Sequence, residues 1–303
     1  MEEIKDFASF VEKEKVREIS VGQSGAAVCE ISGRRVAKWV RKSALKEENL
    51  WEKYLHEAVF YRQMMGCQVS FVPRVLYAAW NDEEQLLVLE KYDPLDREKL
   101  SDALLQRIVD TLARIHTMPV PAFVQQPESK PLIHAPDALE GYVSGWESVL
   151  REHGDAFSTD VLQKMAGEIN RINRTFHSTK RCFTHGDFHF DNLLSDAQGN
   201  LVVCDWQNCS CGDPSGDLSF LISRLLSDGY PLDADKLVDT YCRCAAQHGL
   251  TVNPEEVQIQ MALSNLNVSL MYWHMYLHGA DPERVQNIFG KMAEDYRKLS
   301  KKL

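Results

Sequence analysis

Residues 182–221 read CFTHGDFHFDNLLSDAQGNLVVCDWQNCSCGDPSGDLSFL, and this stretch indicates the fold class of the chain. Its polar centre is His185-Gly186-Asp187, and Asn192 follows five residues after the aspartate. A carboxylate can accept a proton from a hydroxyl, and a carboxamide oxygen can bind a hard cation. Asp187 and Asn192 are therefore candidates for a general base and a metal ligand.

A β-hairpin is predicted directly after Asn192. The apolar runs 193–195 and 201–204 flank the turn 196–200, which contains a glycine, and this pattern is typical of a hairpin. Asp205 follows the second run. The hairpin would bring Asn192 and Asp205 to the same end of two paired strands.

This order of polar residues matches what phosphoryl transfer requires. The reaction depends on positioning and charge neutralisation, with one carboxylate for the hydroxyl proton and oxygen ligands for Mg²⁺. Protein kinases use a base aspartate, an asparagine at the same spacing and a metal-binding aspartate further along the chain. Asp187 would be the catalytic base, and Asn192 and Asp205 would bind Mg²⁺.

Composition and charge narrow the class of protein. Of 303 residues, 44% are hydrophobic and 26% charged, as in ordinary globular proteins. The net charge of −10 argues against nucleic-acid binding, which rests on neutralising phosphates. It would suit a cationic substrate, although solubility alone explains it. No stretch approaches the roughly 20 apolar residues of a membrane span, and the N-terminus lacks the apolar segment of a signal peptide. We therefore expect a cytoplasmic protein with reduced cysteines that binds neither nucleic acid nor membrane.

The first 91 residues predict a small antiparallel sheet with one long helix. A short amphipathic helix is expected over 1–14. The β-like runs are 16–21, 26–31, 34–40, 73–80 and 85–91, and the long helix is expected over 45–65. A small turn between the first two runs contains Ser24 and Gly25, whose backbone N–H groups could lie over phosphates. An ordinary hairpin turn is the alternative interpretation.

Lys38 stands between apolar residues in the middle of a predicted strand. Such a lysine is either an edge-strand charge that reaches water or a ligand of nucleotide phosphates. The second interpretation predicts a carboxylate partner on the following helix. Glu57 lies within the apolar part of that helix, so an ion pair between Lys38 and Glu57 is expected.

The apolar pattern breaks at Glu90-Lys91-Tyr92-Asp93-Pro94, beyond which the chain becomes mostly helical. We expect an N-terminal nucleotide-binding lobe over 1–91 and a hinge over 92–96. A helical lobe over 97–303 would hold the catalytic loop, the metal site and the substrate pocket. The proline-rich segment 118–136 is expected to be a loop. Helices are expected over 97–116, 139–152, 161–177, 214–226, 233–248, 254–278 and 282–299.

With these residues in this order, the chain resembles the aminoglycoside phosphotransferase and choline kinase family, small-molecule relatives of protein kinases. The resemblance is carried by Lys38, Glu57, His185-Gly186-Asp187, Asn192 and Asp205-Trp206. It implies a protein-kinase-like α+β fold. The small N-terminal lobe would contain an antiparallel sheet and one long helix, and the larger C-terminal lobe would be mainly helical.

The resemblance also implies ATP or GTP, bound with Mg²⁺ between the lobes. Lys38, held by Glu57, would contact the α/β-phosphates. The backbone of residues 89–92, which includes Glu90 and Tyr92, would hydrogen-bond the nucleobase. Asp217 would brace the catalytic loop.

The expected acceptor is a hydroxyl group of a small molecule, such as an aminoglycoside, or choline or another amino alcohol. Sugars and nucleoside-like compounds remain open. Aromatic and acidic residues of the helical part are candidate contacts for it: Trp146, Glu147, Trp273 and Tyr276.

Two alternatives remain at this stage. His185, Asp187, His189 and Asp191 alternate and would share one face of a strand, where they could form the metal site of a metallohydrolase. Otherwise His189 would be a structural residue or would line a pocket, and Asp191 would lie at the surface or brace the loop. The second alternative is a kinase-fold binding module without turnover, which the intact set of charged residues argues against.

Overall fold

The computed structural model describes residues 7–8, 10, 16–21, 26–47, 49–67, 69–126, 128–154 and 159–303, and for residues 16–21 the backbone alone. The helix predicted over 1–14 lies outside these residues, apart from 7–8 and 10, which are helical. The turn that contains Ser24 and Gly25 lies outside them as well.

The N-terminal part contains an antiparallel sheet and one long helix. The strands are β1 (Val16–Val21), β2 (Ala27–Ile31), β3 (Arg35–Arg41), β4 (Val75–Trp80) and β5 (Glu84–Glu90), and the helix is α1 (Asn49–Met64). The strand order is β1-β2-β3-β5-β4, and α1 packs on β4 and β5. Residues 86–89 of β5 form a continuous apolar run, which is consistent with burial of both faces of this strand. Leu87 packs with Phe60 of α1, while Leu86 and Val88 pack on the opposite face.

The rest of the chain is mainly helical, as predicted. The helices are α2 (Asp102–His116), α3 (Pro136–Arg151), α4 (Asp160–Thr175), α5 (Ser215–Ser227), α6 (Ala234–Gln247), α7 (Pro254–Tyr272) and α8 (Pro282–Ser300). Several begin where a small polar side chain accepts a hydrogen bond from an amide of the first turn: Ser101, Asp233, Asn253 and Asp281. The described residues between α2 and α3 form the expected loop.

Five short strands complete the structure. They are β6 (Asp93–Pro94), β7 (Cys182–Thr184), β8 (Leu193–Ser195), β9 (Leu201–Val203) and β10 (Ser210–Gly212). β8 and β9 form the predicted hairpin, with Leu193 opposite Val203. β6 pairs with the free side of β8, and β10 pairs with β7.

The predicted helix bounds differ most from the structure in two helices. The helix expected over 97–116 begins only at Asp102, because Ser101 adopts an extended backbone and caps it. The helix expected over 254–278 ends at Tyr272 and continues as a 3₁₀ turn, Trp273–Tyr276. Glu152 accepts hydrogen bonds from His278 at 2.6 Å and from the Gly279 amide at 2.8 Å, which holds the chain in a turn there.

Two apolar cores support the helical part. The first also contains α1 and the sheet, since Phe60 stacks on Trp206 with ring centroids 4.4 Å apart. The second lies among α3, α4, α7 and α8 and contains Trp146 and Phe289. The division at residues 92–96 stays a prediction. Within the described residues, no helix is long and apolar enough to cross a membrane.

Candidate active site

The loop between β7 and β8, residues 185–192, is held by a carboxylate of α5. Asp217 accepts hydrogen bonds from the backbone N–H groups of His185 at 2.7 Å and Gly186 at 2.8 Å. His116 Nε2 lies 3.2 Å from the same carboxylate. Burial by itself would raise the pKa of Asp217, but the hydrogen bonds from His116 and His185 outweigh it and hold this pKa below its ordinary value. Asp217 thus braces the loop, as the sequence suggests.

Gly186 is required where the loop turns. Its φ is +80°, and a Cβ atom there would lie 2.2 Å from the carbonyl oxygen of Asn208. Both the left-handed backbone and the close approach favour glycine at this position. The turn therefore depends on a residue without a side chain.

His185 is a buried structural residue of this loop. Its Nε2 lies 3.0 Å from the carbonyl oxygen of Cys204, and its Nδ1 accepts a hydrogen bond from the Asp187 amide at 3.2 Å. Since a carbonyl only accepts, Nε2 carries the proton and the ring is neutral. Burial lowers the pKa of His185, which is consistent with this state. The ring therefore ties the backbone of Asp187 to the end of β9.

Asp187 and Asn192 are in direct contact. Asn192 Nδ2 donates to the Asp187 carbonyl oxygen at 2.9 Å and lies 3.4 Å from its carboxylate Oδ2. The Asp187 side chain keeps 25% of its surface exposed, so a substrate hydroxyl could reach it. These contacts orient the carboxylate at the mouth of the loop.

Asp205, Lys38 and Glu57 form a second charged group. Lys38 Nζ lies 2.6 Å from Glu57 Oε2 and 3.3 Å from Asp205 Oδ1, and it lies 4.6 Å from the centre of the Tyr54 ring. Burial opposes the charge on Lys38, but the two carboxylates outweigh burial and raise its pKa. The predicted ion pair is present, and Lys38 stays charged.

The hairpin brings the two groups together. The Cys204 amide donates to the Asn192 carbonyl oxygen at 3.0 Å, so Asp205 follows β9 beside the start of β8. Asp205 adopts a left-handed backbone with φ 65° and ψ 61°. This sparsely populated conformation costs on the order of 1 kcal/mol. The stacking of Trp206 on Phe60 supports it by fixing the next residue.

Asn192 and Asp205 offer the oxygen atoms that Mg²⁺ prefers. The Asn192 Nδ2 atom is used by Asp187, which leaves Oδ1 for a cation. Asp205 contributes a carboxylate that is 31% exposed. Mg²⁺ usually takes only one or two protein carboxylates and completes its shell with water and phosphate. The donor set therefore fits Mg²⁺ bound together with a nucleotide.

The alternating His/Asp cluster of the metallohydrolase alternative does not form. β7 ends at Thr184, so the following residues share no strand face. Both ring nitrogens of His185 have partners, and Asp191 pairs with Arg97 at 2.5 Å. In the described part of the chain, no three His, Cys, Asp or Glu side chains are arranged to hold a metal ion.

The segment that would bind the nucleobase lies at the end of β5. The Glu90 and Lys91 amides donate to the carbonyl oxygens of Arg74 at 3.0 Å and Arg34 at 2.9 Å. The Tyr92 hydroxyl accepts from the Arg74 amide at 3.1 Å and lies 3.3 Å from Glu90 Oε2. The Glu90 and Lys91 amides are therefore occupied, and a nucleobase would have to use other backbone groups of this segment.

A cleft of about 1000 Å³ opens between α5, α7 and α8, and the first residues of α6 also line it. Trp273 lines this cleft, as does Ser223, which lies next to Arg224 on α5. The other aromatic candidates for substrate contacts differ. Trp146 is completely buried and donates to the Ser269 carbonyl oxygen at 3.1 Å, so it belongs to the core, and Tyr276 is 69% exposed.

Sequence reasoning missed His116, a buried residue at the end of α2. It joins Asp217 to the Tyr241 hydroxyl, which lies 2.7 Å from His116 Nδ1. His116 sits at the end of an ordinary amphipathic stripe, and no local pattern distinguishes it. Lys38, Glu57, Asp187, Asn192 and Asp205 all lie around the 185–192 loop and the hairpin, as predicted.

Comparison with known proteins gives one family and one fold. The sequence matches the phosphotransferase enzyme family over residues 15–256. No curated protein matches the chain in sequence. The ADP-bound structure of aminoglycoside phosphotransferase APH(2'')-Ib is similar, with 19% identity, a TM-score of 0.58 and coverage of 96% of this chain and 98% of that one.

Two choline kinases have the same fold. The enzyme LicA from Streptococcus pneumoniae has 16% identity and a TM-score of 0.54, covering 97% of this chain and 98% of its own. The enzyme from Cryptosporidium parvum has 12% identity and a TM-score of 0.59, covering 96% and 91%. The protein-kinase-like α+β fold predicted from the sequence is therefore confirmed.

Proposed function

The chain belongs to the phosphotransferase enzyme family and is a phosphotransferase, and from this premise we propose that it transfers the γ-phosphoryl group of ATP or GTP, with Mg²⁺, to a hydroxyl of a small molecule. One observation carries the proposal. One hairpin brings together Asp187, Asn192 and the group formed by Asp205, Lys38 and Glu57. Together they would supply the base, the metal ligands and the phosphate-binding lysine that phosphoryl transfer requires.

Asp187 would act as the general base. Its partly exposed carboxylate accepts the hydroxyl proton as the acceptor oxygen attacks the γ-phosphorus in line. The bond to the β-phosphate oxygen breaks, and the nucleoside diphosphate leaves. Asn192 and the ring of His185 hold the backbone of Asp187, and so keep its carboxylate in place during this step.

Lys38 would neutralise the α/β-phosphates. Its charge is secured by Glu57 of α1, which would still hold the ammonium group in a complex where Asp205 binds the metal. The Glu90 carbonyl group and the Tyr92 amide would bind the nucleobase. Ser24 and Gly25 would cover the phosphates. Mg²⁺, held by Asn192 and Asp205, would neutralise charge on the phosphate oxygens.

The acceptor would enter the cleft between α5, α7 and α8. α5 contributes to both regions, since Ser223 lines the cleft and Arg224 contacts Asp191 at 3.5 Å. Four carboxylates and three cationic side chains line the cleft: Asp235, Asp281, Glu283, Asp295, Arg284, Lys291 and Lys298.

This near balance of charge favours an acceptor with at most one positive charge. The buried Asp295 carboxylate is already paired with Lys291 at 2.9 Å and Asn265 at 2.5 Å. A polycation would therefore find few uncompensated carboxylates. An amino alcohol or a polyol fits the cleft better than an aminoglycoside does.

We also propose a class of partner and a cellular location for this protein. The proposed partner is a small hydroxylated molecule, and neither nucleic acid nor membrane is required. All eight cysteines, which lie in the described part of the chain, are thiols. Reduced thiols fit a cytoplasmic location.

The test is thermal unfolding with ATP or GTP, with and without Mg²⁺, followed by a screen of choline, ethanolamine, a hexose and kanamycin as acceptors. A ligand that binds only the native state raises the melting temperature by mass action. We expect a rise that needs both nucleotide and Mg²⁺, and turnover with an acceptor of low charge.

The matched control is Asp205→Asn, which should lose the Mg²⁺-dependent part of the rise because the neutral side chain binds the metal weakly. A nucleotide-independent shift with a transition metal alone would instead contradict the proposal. Nucleotide binding without turnover of any acceptor would indicate a binding module. Fastest turnover of kanamycin would contradict the assignment of the acceptor class.

A further inference from the structure

His189 lies next to the proposed base Asp187. Its Nε2 atom is 3.7 Å from Asp187 Oδ1, while Asn192 Nδ2 is 3.4 Å from the other oxygen, Oδ2. Each oxygen of the carboxylate therefore faces a nitrogen of a neighbouring side chain. His189 is 15% exposed and so is less accessible to water than Asp187.

The hydrogen bonding of His189 fixes its tautomer. The Asp191 amide donates to His189 Nδ1 at 3.3 Å, which makes Nδ1 an acceptor, and the Asp191 Oδ2 atom lies 3.5 Å from the same nitrogen without a hydrogen bond to it. In a neutral imidazole the proton is then on the other nitrogen. His189 therefore directs an N–H group, through Nε2, towards Asp187.

The ring of His189 is held on two further sides. The Phe220 ring of α5 contacts it edge-on, with centroids 5.6 Å apart. Asp191, whose amide binds the ring, is itself fixed by Arg97 at 2.5 Å, and the same guanidinium binds Asp228 at 2.5 Å. The side chain thus has an orientation set by α5 and by the segment that precedes α2.

We propose that His189 is a positioning residue, which holds the Asp187 carboxylate through Nε2–H in the orientation that accepts the proton of the acceptor hydroxyl. This inference rests on the proposed function. A donor near each oxygen restricts the rotation of the Asp187 carboxylate. A lone pair of this carboxylate would then face the acceptor hydroxyl. The 3.7 Å separation exceeds a hydrogen bond, and catalytic hydrogen bonds are often long before substrate binds and shorten in the reactive complex.

A purely structural role is the alternative, since Nδ1 of His189 also caps the 3₁₀ turn Phe190–Asn192. Two substitutions separate the roles. In His189→Gln the amide nitrogen occupies the place of Nε2 and can still reach Asp187. In His189→Asn the side-chain oxygen occupies the place of Nδ1 and keeps the cap but cannot reach Asp187.

The experiment measures kcat and KM of both variants with MgATP. The phosphoryl acceptor is either water or the best acceptor of the screen. Because a displacement of about 1 Å can cost about 10²-fold in rate, we expect His189→Asn to lose about tenfold or more in kcat. Its KM for ATP should stay within about twofold of the parent value. His189→Gln should retain most of kcat.

The matched control is His248→Asn, which removes another His–Asp contact, that with Asp110, outside the loop. It should turn over at the parent rate. If His189→Asn were as active as the parent while His189→Gln lost activity, the capping role alone would remain and the inference would be overturned. Parent rates for both variants would overturn it too. A parent that bound but never turned over MgATP would overturn the proposed function and this inference together.

Discussion

Asp187 is held in place by neighbours that leave its carboxylate partly exposed. Its backbone is fixed by His185 and Asn192, and its side chain faces Asn192 and His189. This combination suits a general base that must be held in one orientation and still be reached by the acceptor hydroxyl. We therefore expect the rate of phosphoryl transfer to respond to the replacement of a single atom of Asp187.

Asp187→Asn replaces one oxygen by a nitrogen with little change of volume. The carboxamide cannot accept the proton, so we expect kcat to fall by about 10² to 10⁴-fold. The dissociation constant for MgATP should stay within about twofold, because the side chain is not needed to bind the nucleotide. The control is Asp82→Asn, an exposed carboxylate before β5. Steady-state kinetics and nucleotide titration test this, and a variant with parental kcat would remove Asp187 from the mechanism.

Gly186→Ala and Gly199→Ala form a matched pair. Both glycines have φ near +80°, so either alanine costs about 1 to 2 kcal/mol of backbone strain. Gly199 has no atom within 4 Å of an added Cβ, while at Gly186 the Asn208 carbonyl oxygen would be 2.2 Å away. We expect Gly199→Ala to keep full activity.

Gly186→Ala should lose more stability than Gly199→Ala and most of its kcat, because the loop must shift away from Asn208. Urea unfolding and kinetics of the two variants give the comparison. Equal losses in both variants would show that the close approach has no consequence.

At the scale of elements, one carboxylate of α5 organises the loop between β7 and β8. Asp217 binds two loop amides and His116 of α2, and therefore connects three elements that are distant in sequence. The hairpin β8–β9 does the same for Asn192 and Asp205. Asn192 and Asp205 thus lie at the ends of short elements and Asp187 in the loop before β8, whereas Lys38 and Glu57 lie within β3 and α1.

Asp217→Asn should change how stability depends on pH. The pKa of Asp217 is lowered from 3.8 in the folded protein, so its ionised form stabilises the native state above that pH. This contribution disappears as the pH falls through the lowered folded value. We expect the variant to lose about 2 to 4 kcal/mol at pH 7.

The difference between the parent and Asp217→Asn should therefore shrink as the pH is lowered below about 4. Urea unfolding at a series of pH values from neutral to acidic measures it. A difference that stayed constant down to the most acidic pH would mean that Asp217 does not titrate as described.

At the scale of the whole molecule, the sheet and the helical part share a core. Phe60 of α1 is fully buried and stacks on Phe183 and Trp206, with centroids 5.9 and 4.4 Å apart. Because these rings flank the hairpin, the N-terminal part cannot lose its core without exposing the site. The two proposed lobes would then unfold together.

Phe60→Ala and Phe289→Ala test this cooperativity. Each removes a buried ring and should cost about 3 to 5 kcal/mol. Phe289 belongs to the second core, among α3, α4, α7 and α8. We expect each substitution to lower one common transition, seen at the same midpoint by circular dichroism and by tryptophan fluorescence. Two separate transitions, of which each substitution lowered only one, would show independent units.

The sequence alone determined the order of the chemical groups and the local elements that carry them. The hairpin after Asn192, the Lys38–Glu57 pair and most helix starts were predictable, because turn glycines, capping residues and a lysine in an apolar strand are local signals. The family resemblance followed from the same residues, and the match over 15–256 confirms it.

Only the tertiary structure decided what these groups contact. Glu152 binds His278, 126 residues away, in the turn that follows α7, and the charge of Lys38 is supported by Glu57 and by Asp205, which lies 167 residues away. Trp146 could have faced substrate or core on its helical pattern, and packing placed it in the core. Such contacts leave no periodicity in the sequence, because their free energy arises from burial and hydrogen bonding between distant segments.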